Sequence, residues 1–236
     1  MEDLSRDVVE RPPDLARWVE VRGMLLSGRG RVLEARCGRD IAATVLQQDT
    51  GLGGVIGRCA AAAIRRVSRE ARELIAAPED AAWVARALPR WSSEPALVHL
   101  LPDAASPPES LPGRVRLLRP GEPAALPGLP APLREELTIE STAGSPIAAA
   151  FLEDRPVAFC CAGSVTESLW DVGIETLEPF RRQGHASRCF TWLMLHLGRE
   201  GRRPVWGAMA SNTASSALAR KLGFNRVDTL HVLRPP

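Results

Sequence analysis

The sequence predicts an α/β protein of the α+β kind: a mixed central sheet flanked by helices, preceded by a smaller α+β unit. Three observations predict it. Apolar residues alternate at a period of two in "SLWDVGIETL" and fill the runs of "IAAAFLEDRPVAFCCAGSV"; they recur at helical spacing in "GHASRCFTWLMLHLGREG"; and a proline-rich stretch, "LPDAASPPESLPG", divides the chain. That stretch, Leu101 to Gly113, can neither continue a helix nor join a central strand, so it reads as a linker. The boundary is expected near residues 105–112, giving an N-terminal unit over 1–110 and a second domain over 111–236.

In the first unit "GRVLEARC", "DIAATVLQQ" and "PALVHLL" are expected as strands. The alanine-rich run Arg58 to Ala77 reads as one helix, with Ile64, Val67, Ala71 and Ile75 on a shared face. "PEDAAWVARAL" reads as another, with Pro78 suited to a first turn and Glu79 and Asp80 favourable beside it. "GLGG", Gly51 to Gly54, lacks the Lys-Ser/Thr ending of a phosphate loop and reads as a hairpin turn.

Beyond the linker a short strand, Arg114 to Leu118, stands between breakers, the second being the proline-dense Arg119 to Pro132. Two strands follow around the turn Glu153 to Pro156, and "SLWDVGIETL" is a third. A helix opens near Gly184 and stops at Gly198 or Gly201. "PVWGAM" is a strand, "NTASSALARKLG" a helix closed by Gly223, and "RVDTLHVL" a last strand. The order is β-β-β-α-β-α-β.

Composition excludes several classes. The 236 residues are 45% hydrophobic and 25% charged, ample for a core, and a formal charge of +2 without long runs of one sign argues against nucleic acid. The charged N-terminus has no signal-peptide core, and no run of eighteen apolar residues follows, so a cytoplasmic protein without a membrane partner is expected. Cys37, Cys59, Cys160, Cys161 and Cys189 lack paired metal spacing and are expected as buried reduced thiols, with no metal. Cys160 and Cys161 adjoin on one strand and should point to opposite faces.

The stretch "EPFRRQGHA", Glu178 to Ala186, joins a strand to a helix. A helix starting at Gly184 leaves its first N–H groups unpaired at the positive end of its dipole. Glycine permits close approach, Ala186 keeps it clear, and Arg181 and Arg182 add charge suited to a phosphate. Alone, the same pattern also fits a solvated helix cap.

Arg181-Arg182-Gln183-Gly184-His185-Ala186 resembles the Arg/Gln-x-x-Gly-x-Gly/Ala signature of the GNAT superfamily of acyl-CoA-dependent N-acetyltransferases, and "NTASSALARKLGF" resembles the Asn-x-x-Ser helix and Leu-Gly-Phe ending of those enzymes. The resemblance covers roughly Arg114 to Pro236; some relatives carry a degenerate second GNAT-like half in front. It implies a GNAT-like sheet and acetyl-CoA as co-substrate. The backbone of Gln183, Gly184, His185, Ala186 and Ser187 would cradle the pyrophosphate, with Arg181 and Arg182 alongside. Backbone groups near Leu177 and Pro179 would pair with the pantetheine arm, an amide near Leu177 would serve the thioester oxygen, and Asn212 and Ser215 would lie near the thiol end.

The acceptor, a small-molecule or peptide amine, must lose a proton. Asp171, Glu175 and Leu177 share a strand face by alternation, and Glu175 is the favoured base, with Asp171 second. Many relatives place a tyrosine where this chain has Ala219, and the chain has no tyrosine at all; Ser215, Ser216 or water would then protonate the thiolate. The alternative is a non-catalytic acyl-CoA-binding module. His185 is expected to be exposed, His99 and His196 have no triad partner, and Trp170, Trp192 and Trp206 are expected in the core or a cleft wall. A homodimer is left open.

Overall fold

The computed structural model describes residues 12–36, 41–102 and 115–236. Most of the expected linker therefore lies outside the described residues, as does Cys37. The chain forms a helix α1 (Val19–Leu26), strands β1 (Gly30–Arg36), β2 (Ala42–Gln47) and β3 (Leu52–Ile56), helix α2 (Ala61–Val67), strand β4 (Glu73–Ala76), helix α3 (Pro78–Ala87) and strand β5 (Ser92–Leu100). After the linker come β6 (Val115–Leu117), α4 (Ala131–Thr142), β7 (Ile147–Leu152), β8 (Arg155–Val165), β9 (Leu169–Thr176), α5 (His185–Gly198), β10 (Arg203–Met209), α6 (Thr213–Lys221) and β11 (Asn225–Arg234).

The eleven strands among the described residues join one mixed sheet in the order β1-β2-β3-β4-β11-β5-β10-β9-β8-β7-β6. The two sequence halves interleave in it. The last strand, β11, lies antiparallel between β4 and β5, and β5 in turn lies against β10. Two parallel pairs occur, β3 with β4 and β9 with β10, each bridged by a helix.

Alternation along the strands divides the core between the sheet's two faces. On one face Trp170, Trp206 and Phe224 pack against Phe190 and Leu193 of α5. On the other, Ile147 and Phe159 pack against Leu137 of α4, while Val21 and Met24 of α1 cover Val45 and Ile75. Cys160 belongs to the α5 side and Cys161 to the α4 side, and both thiols are free and buried, as are Cys59 and Cys189.

Three readings are corrected, and one element is new. The helix expected from Arg58 to Ala77 stops at Val67, and Glu73–Ala76 is a strand between β3 and β11. Leu74 and Ala76 are 0% and 1% exposed there, and burial in a ladder outweighs the few tenths of a kcal/mol per residue of helix preference. In "GLGG" only Gly51 (φ 76°) turns the chain. Gly53 and Gly54 lie within β3, where a Cβ would stand 2.4 Å from Leu74 Cδ2 and 2.8 Å from Val21 Cγ2. The proline-dense segment feeds a helix: Pro130 and Pro132 occupy the cap and first turn of α4, where a missing N–H costs nothing. Helix α1, with its β-branched Val19 and Val21, carried no recognisable signal.

Candidate active site

The turn after β9 is built in steps. Leu177 leads into a 3-10 turn, Glu178–Phe180; Arg181 is extended, Arg182 adopts φ 61°, and Gly184 adopts φ 80° as the N-cap of α5. A Cβ on Gly184 would meet nothing within 4 Å. The glycine is therefore demanded by its left-handed backbone, and open space lies above it. The first hydrogen bond into the helix is Arg188 N–H to Gly184 O, 3.2 Å. Among the described residues the amides of Gly184, His185, Ala186 and Ser187 have no partner, so four donors and the positive dipole end converge on that space. Two arginines brace the turn: Arg181 Nε donates to Thr176 O at 3.1 Å, and Arg188 Nη2 to Gln183 O at 3.3 Å.

Directly before the turn the sheet opens. β9 and β10 are in register at Arg203↔Leu169, Pro204↔Trp170 and Val205↔Asp171, and pair no further. Past that point β9 stays with β8 to Thr176 and β10 stays with β5 to Met209, so the two parallel strands part between them. Leu177 N–H donates to Val157 O at 3.0 Å, across β8. Antiparallel pairing alternates which edge each residue faces, so the amides of Val172, Ile174 and Thr176 face the gap. Val172 lies at the last rung with β10, and Thr176 N–H donates to Glu175 Oε1 at 3.1 Å, leaving the Ile174 amide free. The Leu177 N–H is thus spent within the sheet, and the free amide near it is that of Ile174.

At the open end of the gap lies a cleft of about 530 Å³ between the turn and α6. Of the residues singled out from the sequence, Glu175, Arg181, Arg182, Gly184, His185, Ala186, Ser187, Asn212 and Ser215 line it; Leu177, Gln183 and Asp171 do not. Gln183 turns outward, its Nε2 donating to Pro179 O at 3.2 Å. Asn212 Oδ1 accepts the Ser215 N–H at 3.0 Å and so caps α6. Ser215 Oγ accepts from Trp206 Nε1 at 2.9 Å, which keeps its own hydrogen available to donate.

Two side chains depart from expectation. His185 is 5% exposed, not on the surface, and its Nε2 has no partner; burial, then Arg188, lowers its pKa. The signal was its place in the apolar series of α5, four residues before Cys189 and eight before Leu193. Ala219 is 0% exposed in the core shared with α5, which leaves no room for a phenol at that position.

Asp171 lies further back along β9, at the closed end of the gap, where it lines a hollow of about 170 Å³. The hollow is walled by Val172 of β9, by Gly207 and Ala208 of β10, and by Glu20 of α1, a residue to which no sequence pattern points. A neighbouring cleft of about 440 Å³ continues from it past Glu136 and Glu140 of α4. Glu175, in contrast, is exposed and leans on Arg181 at 3.4 Å. Among the described residues no three His, Cys, Asp or Glu side chains are grouped to hold a metal, and no helix is long and apolar enough to cross a membrane.

Residues 148–233 match the family model of GNAT acetyltransferase. Among solved structures, the chain is similar to a GCN5-related N-acetyltransferase-like protein from Streptococcus suis (TM-score 0.71, 15% identity, 99% of each chain covered). It is similar also to a GCN5-related N-acetyltransferase from Kribbella flavida (TM-score 0.58, 16% identity, 99% of this chain and 95% of that one). A tandem GNAT protein from the clavulanic acid biosynthesis pathway is matched over 98% of this chain and 92% of its own (TM-score 0.56, 17% identity). No curated protein sequence matches. At these identities the structural likeness shows the fold, which extends over both halves. The match of the C-terminal half is thus supported: residues 148–233 match the GNAT acetyltransferase family model, within a chain that has the fold of GNAT structures.

Proposed function

We propose that the protein transfers an acetyl group from acetyl-CoA to a primary amine by direct attack, with both substrates bound at once. The observation that carries this reading is the parting of β9 from β10 immediately before a helix start with four unpaired amides. An extended arm can lie in such a gap as an added strand, and a pyrophosphate suits the helix start. The open space over Gly184 fits that group, since no side chain occupies it.

Acetyl-CoA supplies an activated thioester. The amides of Gly184 to Ser187 hold the pyrophosphate, with Arg182 beside them, and Asn212 shapes the cleft by capping α6. The Ile174 amide faces the gap and is the available donor to a thioester oxygen; a well-placed donor of this kind is worth about 2.7–4 kcal/mol. Ser215, already accepting from Trp206, is oriented to donate toward a departing sulfur. Of the two β9 carboxylates, Asp171 is favoured for the amine's proton over Glu175, which is exposed and engaged with Arg181. The N-terminal unit, over 1–110, would serve the acceptor side through α1. Buried reduced thiols suit a cytoplasmic setting.

A non-catalytic acyl-CoA-binding module is the second reading, favoured by Ala219 where relatives place a tyrosine. Incubation with acetyl-CoA and a panel of primary amines, read as release of free thiol, separates the two. Turnover supports the transferase; tight binding of coenzyme A without thiol release supports the module.

A further inference from the structure

We propose that Glu20 of α1 is the proton acceptor for the attacking amine, working as a pair with Asp171 across the hollow at the closed end of the β9/β10 gap. The inference rests on the acyltransfer reading and adds to it a residue from the N-terminal half, far from either family motif.

Geometry carries it. The hollow is bounded by the two strands where they separate, so it adjoins the gap from the face of the sheet opposite α5. An amine entering from that face meets the gap from the side away from the turn. Glu20 and Asp171 both line the hollow and the cleft that continues from it. The other charged groups facing them are largely engaged: Arg17 with Asp228 and Glu79, Arg234 with Glu73, and Glu140 with Arg29. Glu136 on α4, Arg72 beside β4 and the Cys161 thiol of β8 complete the titratable surroundings of the cleft. Among the described residues neither the Glu20 nor the Asp171 side chain has an ion-pair or hydrogen-bonding side-chain partner. Two half-buried carboxylates lining one hollow oppose each other's ionisation, and in this proposal the pair retains one proton near neutrality. Burial raises Glu20, with Asp171 and Glu73 adding to it; burial also raises Asp171, opposed in part by the Val172 N–H and helped by Glu140. A base poised in that range suits an ammonium at neutral pH.

The step balances as follows. The singly protonated pair takes one proton from the ammonium, and later releases it to water. The freed nitrogen lone pair forms the C–N bond as the C–S bond breaks and its electron pair leaves on sulfur. The second nitrogen proton is lost as the thiolate gains one, so amide, thiol and one released proton result.

Thiol release should be measured for wild type, Glu20→Gln and Glu20→Asp with an amine that wild type accepts, from pH 6 to 9.5. Glu20→Gln is expected to lower kcat about 10²–10⁴-fold at pH 7 with acetyl-CoA affinity unchanged, and to make the rate climb with the free-base fraction of the amine. Glu20→Asp should recover part of the loss. A wild-type rate, or a loss with an unaltered pH profile, overturns the assignment. Thermal melts give a readout that needs no activity: Glu20→Gln should raise Tm more at pH 8.5 than at pH 5. Should wild type acetylate no amine, the acyltransfer reading fails and the proton acceptor with it; the melts alone then decide whether the carboxyls share a proton, an unchanged Tm difference refuting that.

Discussion

The molecule contains the strand-helix-strand unit with parallel strands twice, and only one copy has the features of a ligand site. In the N-terminal unit β3 and β4 are in register from Leu52↔Glu73 to Val55↔Ala76, which uses all of β4 and leaves no gap. The turn after β3 is filled. A Cβ on Gly57 would stand 2.2 Å from Ile41 O, and Trp83 Nε1 donates to Cys59 O at 2.7 Å. Helix α2 has 7 residues against 14 in α5. In the C-terminal unit the strands separate after Val205↔Asp171 and the space over Gly184 is open. Topology alone therefore does not make a site. Unzipped strands and an unfilled helix start do, because both leave backbone groups without partners inside the fold.

The sharpest way to break this comparison is to place valine at the two turn glycines. Gly57→Val should destabilise the fold by about 3 kcal/mol or more, since the side chain meets backbone that cannot move aside and φ is 65°. Gly184→Val has room but also a left-handed backbone. It should cost about 1–2 kcal/mol of stability and weaken coenzyme A binding tenfold or more. Thermal melts and calorimetric titration check the pair; unchanged coenzyme A affinity in Gly184→Val would remove the pyrophosphate assignment.

Next in size is Ala219→Tyr. Restoring the relatives' phenol should destabilise by about 1–3 kcal/mol by overpacking, measured in urea, without raising turnover.

A smaller effect concerns pH. Asp171 is raised in the folded chain, so between the ordinary carboxylate range and its raised value the native state binds more protons than the unfolded one. Stability attributable to this group is complete at low pH and is lost as pH rises through the raised value. Asp171→Asn should therefore narrow the fall in Tm between pH 5 and pH 8.5, and an unchanged slope would count against the buried charge. The least effect is expected from Glu175→Gln, below about threefold in kcat, because that carboxylate is exposed and engaged by Arg181. A loss of about 10²–10⁴-fold there would return the base to Glu175.

How much was legible in the sequence follows from the range of each interaction. Alternation along "SLWDVGIETL", the helical spacing of Cys189, Phe190, Leu193 and Leu197, and the cap signals Gly184, Asn212 and Gly223 all concern neighbours within a few residues. Each of those elements has its counterpart in β9, α5 and α6. Where a distant partner decides, local reading fails. Glu73–Ala76 is a strand only because β3 and β11 flank it, and Glu20 lines the same hollow as Asp171 only because α1 folds over the sheet's other face. The sequence by itself determined the order of elements from β7 onward and the turn that opens α5, since backbone conformation and periodicity are local. Tertiary structure decided that the halves share one sheet, that β9 leaves β10 at Asp171, that His185 is buried, and that a carboxylate from α1 and one from β9 line one hollow; each depends on which strand edges and side chains lie across from one another, and no neighbouring residue encodes that.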